Sequence, residues 1–167
     1  MFLKGDTWDA RYVPAMVQRQ PFLIGMQQTS EGEEPKLAVN IDASHPRVNE
    51  AEGELLFDDE GQPTEFLNAK VELLERVHHM NEHNKKFMAA LSAEGLLEPV
   101  TFDIKLKSGG EGQLLGFYAI HEEKLHDLDG NTLRSLDEAG FLEPIYMSVA
   151  SVGRVMELVD RKSALLA

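Results

Sequence analysis

Residues 64–95 read TEFLNAKVELLERVHHMNEHNKKFMAALSAEG. Neither Gly nor Pro interrupts this segment before Gly95, and its apolar side chains recur at helical spacings. Thr64 is a favourable N-cap residue, and Gly is common directly after the last turn of a helix. The pattern predicts one amphipathic helix over 64–94, roughly 45 Å long at 1.5 Å per residue. Its apolar positions are Phe66, Leu73, Val77, Met80, Phe87 and Leu91.

Alternating apolar residues predict strands on both sides of this helix. Residues 22–26 and 36–42 form one predicted hairpin before it. Residues 101–106 and 113–120 form a second predicted hairpin after it, joined by a Gly-rich turn. Because short antiparallel strands bury one face against helices, both hairpins are expected to join one sheet.

Two more helices are predicted towards the C-terminus. The first covers residues 131–138, and the last runs over 145–162 with one side turned to the core. The residues on that side are Met147, Val149, Val152, Met156 and Val159. The fold class is therefore α+β, with a mostly antiparallel sheet of about four or five strands packed by one long helix and a C-terminal helix. A length of 167 residues fits a single domain.

One short sequence occurs twice. Residues 95–99 read GLLEP and residues 140–144 read GFLEP. Both follow a predicted helix, so both are interpreted as Schellman-type helix ends with an apolar contact just beyond the Gly.

Composition excludes several classes of function. The chain has 16 Lys and Arg against 29 Asp and Glu, a net charge of −13 that disfavours nucleic acid and anionic membranes. It has no Cys, which removes disulfides, thiolate metal ligands and Cys nucleophiles. The first residues lack the apolar stretch of a signal peptide, so a cytoplasmic location is expected.

The string at residues 79–83, HMNEH, matches the zinc pattern H-x-x-E-H. His79 and His83 at i and i+4 can face one metal, with Glu82 as a base. The competing interpretation is a solvated helix face, which we prefer because no third ligand is evident. No metal or other cofactor is predicted.

Residues 127–131, DLDGN, begin like a calcium-binding loop, but the Gly stands fourth rather than sixth. Capping of the short helix by Asp129 or Asn131 explains the same residues. No Ser–His–Asp set or phosphate loop is evident, so no catalytic residue is predicted.

An aromatic and basic cluster lies near the N-terminus. Trp8, Arg11, Tyr12 and Arg19 are residue types that concentrate at the energetic centres of protein interfaces. They are the predicted binding residues, and the alternative is that Trp8 covers one end of the core.

Several short segments together carry a resemblance to a known family. They include Trp8-Asp9, Tyr12-Val13-Pro14-Ala15, Pro21-Phe22, Ile41-Asp42, Glu52-Gly53, Leu56-Phe57, Phe66-Leu67, Gly116-Phe117-Tyr118 and Ile145-Tyr146. In this order they resemble the SapC family, named for a bacterial surface-array protein transport locus. The resemblance covers essentially the whole chain and implies one SapC-like domain over 1–167 that lacks the N-terminal segment of longer members.

The resemblance implies no catalytic residue or cofactor, and it shapes the functional hypotheses. The first is a non-catalytic binding or adaptor protein in bacterial surface-layer protein export or envelope modification. Its partner would be a surface protein, an export component or a modifying enzyme. The alternative is an enzyme, or an enzyme subunit, acting on a peptide or small metabolite. Self-association through an open sheet edge is a third interpretation.

Overall fold

The computed structural model describes residues 2–27, 36–107 and 109–166. Its elements in chain order are β1 (Leu3–Lys4), β2 (Thr7–Trp8), α1 (Ala15–Gln18), β3 (Phe22–Gln27), β4 (Lys36–Ile41), α2 (Glu65–Ala93), β5 (Leu97–Lys105), β6 (Glu111–Ile120), α3 (Glu122–His126), α4 (Gly130–Glu138), α5 (Leu142–Val152) and α6 (Val155–Ala164). Mixed helices and antiparallel strands confirm the α+β class.

The chain divides into two compact units, Phe2–Asn84 and Lys85–Ala167, named here the N-terminal unit and the C-terminal unit. The boundary falls within α2, so this helix supplies residues to both units. A single domain over 1–167 stays a prediction.

The long helix predicted over 64–94 is confirmed as α2. At its start, the backbone N–H of Leu67 donates to the Thr64 hydroxyl at 3.3 Å, which is the expected N-cap bond. At its end, Gly95 has a φ of +63°, a conformation that L side chains rarely adopt. The N–H of Leu96 donates to the carbonyl of Leu91 at 2.9 Å, and that of Gly95 to Ser92 at 3.2 Å. This pair of bonds is the Schellman motif.

Both predicted hairpins are confirmed as antiparallel ribbons. In the first ribbon, β3 and β4 pair from Phe22 opposite Ile41 to Gln27 opposite Lys36. In the second, β5 and β6 pair from Leu97 opposite Ile120 to Lys105 opposite Glu111.

The predicted sheet of four or five strands is wrong. The described strands form three separate two-stranded ribbons, β1–β2, β3–β4 and β5–β6. Alternation of apolar and polar residues indicates a strand, and a nearby turn indicates its hairpin partner. Neither pattern reports whether the outer edge of a hairpin pairs with another ribbon, because an edge strand and a central strand can share the same alternation.

The predicted helix over 145–162 is two helices, α5 and α6, separated at Gly153 and Arg154. Gly lowers helix stability because it loses the most backbone entropy on folding. The side chains that face inward also differ in part from the prediction. Val159 is buried as predicted, whereas Met147 and Met156 are 64% and 62% exposed.

Each unit has its own apolar core. In the N-terminal unit, Phe22 is 3% exposed and lies edge-on to the ring of Phe66 at 6.3 Å between centroids. Leu74 of the same unit is fully buried. The buried core of the C-terminal unit comprises Leu91, Leu96, Ile120, Leu125, Leu136, Phe141 and Ile145.

Candidate functional site

Phe2, Trp8 and Tyr12 form a small structure that we name the aromatic arm. The ring of Phe2 stacks on Trp8 with centroids 5.8 Å apart and planes 24° from parallel. The indole N–H of Trp8 donates to the carbonyl of Tyr12 at 2.9 Å. The Tyr12 side chain itself is 74% exposed. Trp8 therefore positions the backbone, and Tyr12 presents an aromatic ring to solvent.

The two predicted arginines take different places. Arg11 is exposed, whereas Arg19 is half-buried and its Nη1 donates to the carbonyl of Phe22 at 3.0 Å. Across 2–27, 36–107 and 109–166, neither arginine is hydrogen-bonded to Trp8 or Tyr12. The structure therefore brings together two of the four predicted binding residues, and a binding role for all four stays a prediction.

A second feature of the N-terminal unit is a cleft of about 230 Å³, which we name the mixed-charge cleft. Its apolar lining includes Phe22, Ile41 and Phe66, and two cations and two carboxylates also line it. The four charged residues are Arg47, Lys70, Glu52 and Glu54.

Successive turns after β4 place Arg47 at the cleft. Both the hydroxyl and the backbone N–H of Ser44 donate to Asp42 Oδ1, at 2.7 and 3.0 Å. These two bonds hold the pKa of Asp42 below its ordinary value, and the bond from the Ser44 hydroxyl has the larger effect. The N–H of Arg47 then donates to Nδ1 of His45 at 3.2 Å. The loop is thus organised by local bonds of the Asx-turn type.

The other cation is held more firmly. Lys70 projects from α2 with its Nζ 3.0 Å from the carbonyl oxygen of Gln18 and 5.2 Å from the centre of the Phe66 ring. The hydrogen bond and the cation–π contact fix the position of the ammonium group. Two of its three N–H donors remain for other partners.

The possible zinc string lies on α2, where His79, Glu82 and His83 are all exposed. Within the part of the chain that the structure describes, no three His, Asp or Glu residues are grouped so that they could hold a metal ion. The solvated helix face stays a prediction.

Residues 127–131, which begin like a calcium-binding loop, contain the N-cap of α4, as the sequence analysis favoured. One oxygen of Asp129 accepts the backbone N–H groups of Asn131 and Thr132 at 2.8 and 3.1 Å, and the other accepts the Thr132 hydroxyl at 2.9 Å. These bonds lower the pKa of Asp129. The bond from the Thr132 backbone has the largest effect, and the bond from the Thr132 hydroxyl comes second.

Sequence reasoning missed the mixed-charge cleft. Its residues are spread from 20 to 70, and no local motif joins them. One signal was present: several segments that carry the family resemblance, including Pro21-Phe22, Glu52-Gly53 and Leu56, meet at this cleft.

Every helix in the described ranges is too short or too polar to cross a bilayer.

Comparisons with known proteins assign the chain to a family. No curated protein and no solved structure matches the chain significantly. The family model of SapC matches residues 1–158, nearly the full length. The chain therefore belongs to the SapC family.

Proposed function

We propose that this SapC family member is a non-catalytic binding or adaptor protein of bacterial surface-layer protein export or envelope modification. It would act in the cytoplasm on a protein partner, which is a surface protein, an export component or a modifying enzyme. The observation that carries the proposal is the aromatic arm, with Tyr12 held outward by a backbone that Trp8 anchors. Membership in the SapC family, which is named for a surface-array protein transport locus, motivates the link to surface proteins.

An exposed tyrosine on an anchored backbone suits protein recognition. Tyr has only two side-chain torsions, so its immobilisation at an interface costs little entropy for a large contact area. Tyr, Trp and Arg also dominate the energetic centres of interfaces. The net charge of −13 favours a partner whose contact surface is basic.

The test is affinity capture of the protein from its native cells, with mass spectrometry of the co-purified proteins. The key variant is Tyr12→Ala, because it removes the exposed ring but keeps the carbonyl that Trp8 uses. Tyr118→Ala is the matched control, since Tyr118 is 67% exposed and belongs to the C-terminal unit. We expect the wild type and the control to retain a surface protein or export component at near-stoichiometric yield, and Tyr12→Ala to lose it.

Trp8→Ala should behave differently from Tyr12→Ala. It removes both the stack with Phe2 and the indole bond, so we expect a lower thermal midpoint as well as loss of capture. Equal capture by wild type and Tyr12→Ala would contradict the proposal. A bound metal or chromophore in the purified protein would instead favour the enzyme hypothesis.

A further inference from the structure

The mixed-charge cleft contains charges of both signs that do not neutralise one another. Over the described residues, Arg47 and Lys70 form no ion pair with Glu52 or Glu54. Surface ion pairs contribute little to stability, so their absence alone carries no information. What matters is that all four line one cavity together with the rings of Phe22 and Phe66.

The cleft is small and partly prepared for a ligand. Its volume of about 230 Å³ lies below the range of roughly 300–1,000 Å³ that holds drug-sized ligands. Lys70 is fixed by Gln18 and Phe66, so little side-chain entropy remains to be lost when it binds an anion. The guanidinium of Arg47 has no partner among the described residues and keeps its full set of donors.

Local bonds also order the segment that carries the two glutamates of the cleft. Oδ1 of Asn49 accepts the N–H groups of Ala51 and Glu52 at 2.9 and 2.6 Å. Gly53, between the two glutamates, has a φ of +112° that other residues rarely adopt. The loop carrying Glu52 and Glu54 is therefore defined by local bonds and by a required glycine.

We propose that the mixed-charge cleft binds a small zwitterion with an apolar side chain, of the size of one amino acid. Arg47 and Lys70 bind its carboxylate, Glu52 and Glu54 bind its ammonium group, and the apolar side chain packs on Phe22 and Phe66. A ligand with both charges satisfies the cations and the carboxylates of the cleft, whereas a simple anion or cation would meet repulsion from the residues of its own sign. This inference does not depend on the aromatic arm.

Titration calorimetry with three probes tests the proposal. L-leucine has both charges, leucinamide lacks the carboxylate, and N-acetyl-leucine lacks the ammonium group. We expect leucine to bind more tightly than either analogue by about tenfold or more, the usual effect of losing a charge-assisted hydrogen bond. Amide shifts of Val48 and Gly53 in NMR spectra would place the ligand at the cleft.

Two variants separate the positive from the negative residues of the cleft. Arg47→Gln should weaken leucine binding by about tenfold and should not weaken leucinamide binding, because it removes a repulsion from that cation. The double variant Glu52→Gln with Glu54→Gln should weaken leucine binding and should not weaken N-acetyl-leucine binding, because it removes a repulsion from that anion. Arg134→Gln, an exposed arginine of the C-terminal unit, is the matched control and should bind like the wild type.

Three outcomes would overturn the proposal. The first is the absence of heat and of amide shifts at millimolar leucine with folded protein. The second is equal affinity for all three probes. The third is tighter binding of N-acetyl-leucine or leucinamide than of leucine, which would assign the cleft to the terminus of a protein chain.

Discussion

Residues 95–99 and 140–144 read GLLEP and GFLEP, and both follow a helix in the C-terminal unit. The first two residues of both segments have the same backbone structure. The N–H of Phe141 donates to the carbonyl of Leu136 at 2.8 Å, as that of Leu96 does to Leu91. The φ of Gly140 is +71°, close to that of Gly95. The predicted pair of Schellman-type helix ends is therefore confirmed.

The identical tripeptide Leu-Glu-Pro then takes two different structures. Leu97 begins strand β5, whereas Leu142 begins helix α5. Proline is compatible with both, because Pro99 lies in an edge strand and Pro144 in a first helical turn. The next residues differ: Val100, Phe102 and Ile104 alternate after Pro99. The comparison teaches that a helix end is encoded locally, whereas the element after it depends on longer patterns and on packing.

The largest expected loss of stability comes from replacing the residue that follows Gly95 or Gly140. Leu96 is fully buried and Phe141 is 8% exposed, and both belong to one core cluster. Phe141→Ala should lower the free energy of unfolding by about 3–5 kcal/mol and Leu96→Ala by about 2–5 kcal/mol, since each leaves a cavity. Urea unfolding followed by circular dichroism measures both losses.

The exposed Leu115 supplies the control, and Leu115→Ala should change the unfolding free energy by less than about 0.5 kcal/mol. If either core substitution cost no more than this control, the two helix ends would not share the same apolar contact.

An intermediate effect is expected when the two sequences are made identical. Leu96→Phe converts residues 95–99 to GFLEP, yet β5 should remain a strand because the pattern after Pro99 is unchanged. The extra volume at a fully buried position should destabilise the protein by about 1–3 kcal/mol. Far-UV circular dichroism of the folded variant is the measurement, and an increase in helix content would contradict the comparison.

The smallest expected loss of stability comes from replacing the glycines of the two helix ends. Gly95→Ala and Gly140→Ala should each cost about 1–2 kcal/mol in unfolding free energy, because a side chain at these positive φ values is strained. A Cβ at Gly140 would meet open space and one at Gly95 would lie 3.4 Å from Lys124 Nζ, an ordinary contact, so backbone strain is the main cost at both positions.

Gly153 is the matched contrast to these two glycines. It ends α5 with a φ of −60°, so Gly153→Ala removes no special conformation. It should stabilise the protein by about 0.5–1 kcal/mol, measured by the same urea titrations. A loss at Gly153 as large as at Gly140 would show that φ is not what distinguishes these positions.

Local signals in the sequence determined much of this protein. Thr64 and Gly95 marked both ends of α2, alternation marked the two hairpins, and Asp129 marked the start of α4. The helix ends rest on bonds between residues within a few positions of each other, and each hairpin pairs two strands that follow one another in the chain. A sequence can therefore report them without any knowledge of the remaining chain.

Tertiary structure alone decided the features that join distant residues. Examples are the separation of the ribbons, the hydrogen bond from Lys70 to the Gln18 carbonyl, and the meeting of Arg47 with Lys70 at one cleft. Tertiary structure also decided the exposure of Met147 and Met156, since the sequence pattern predicted both in the core. The physical reason is that periodicity shows which residues share a face of one element, whereas burial and charge proximity depend on what packs against that face.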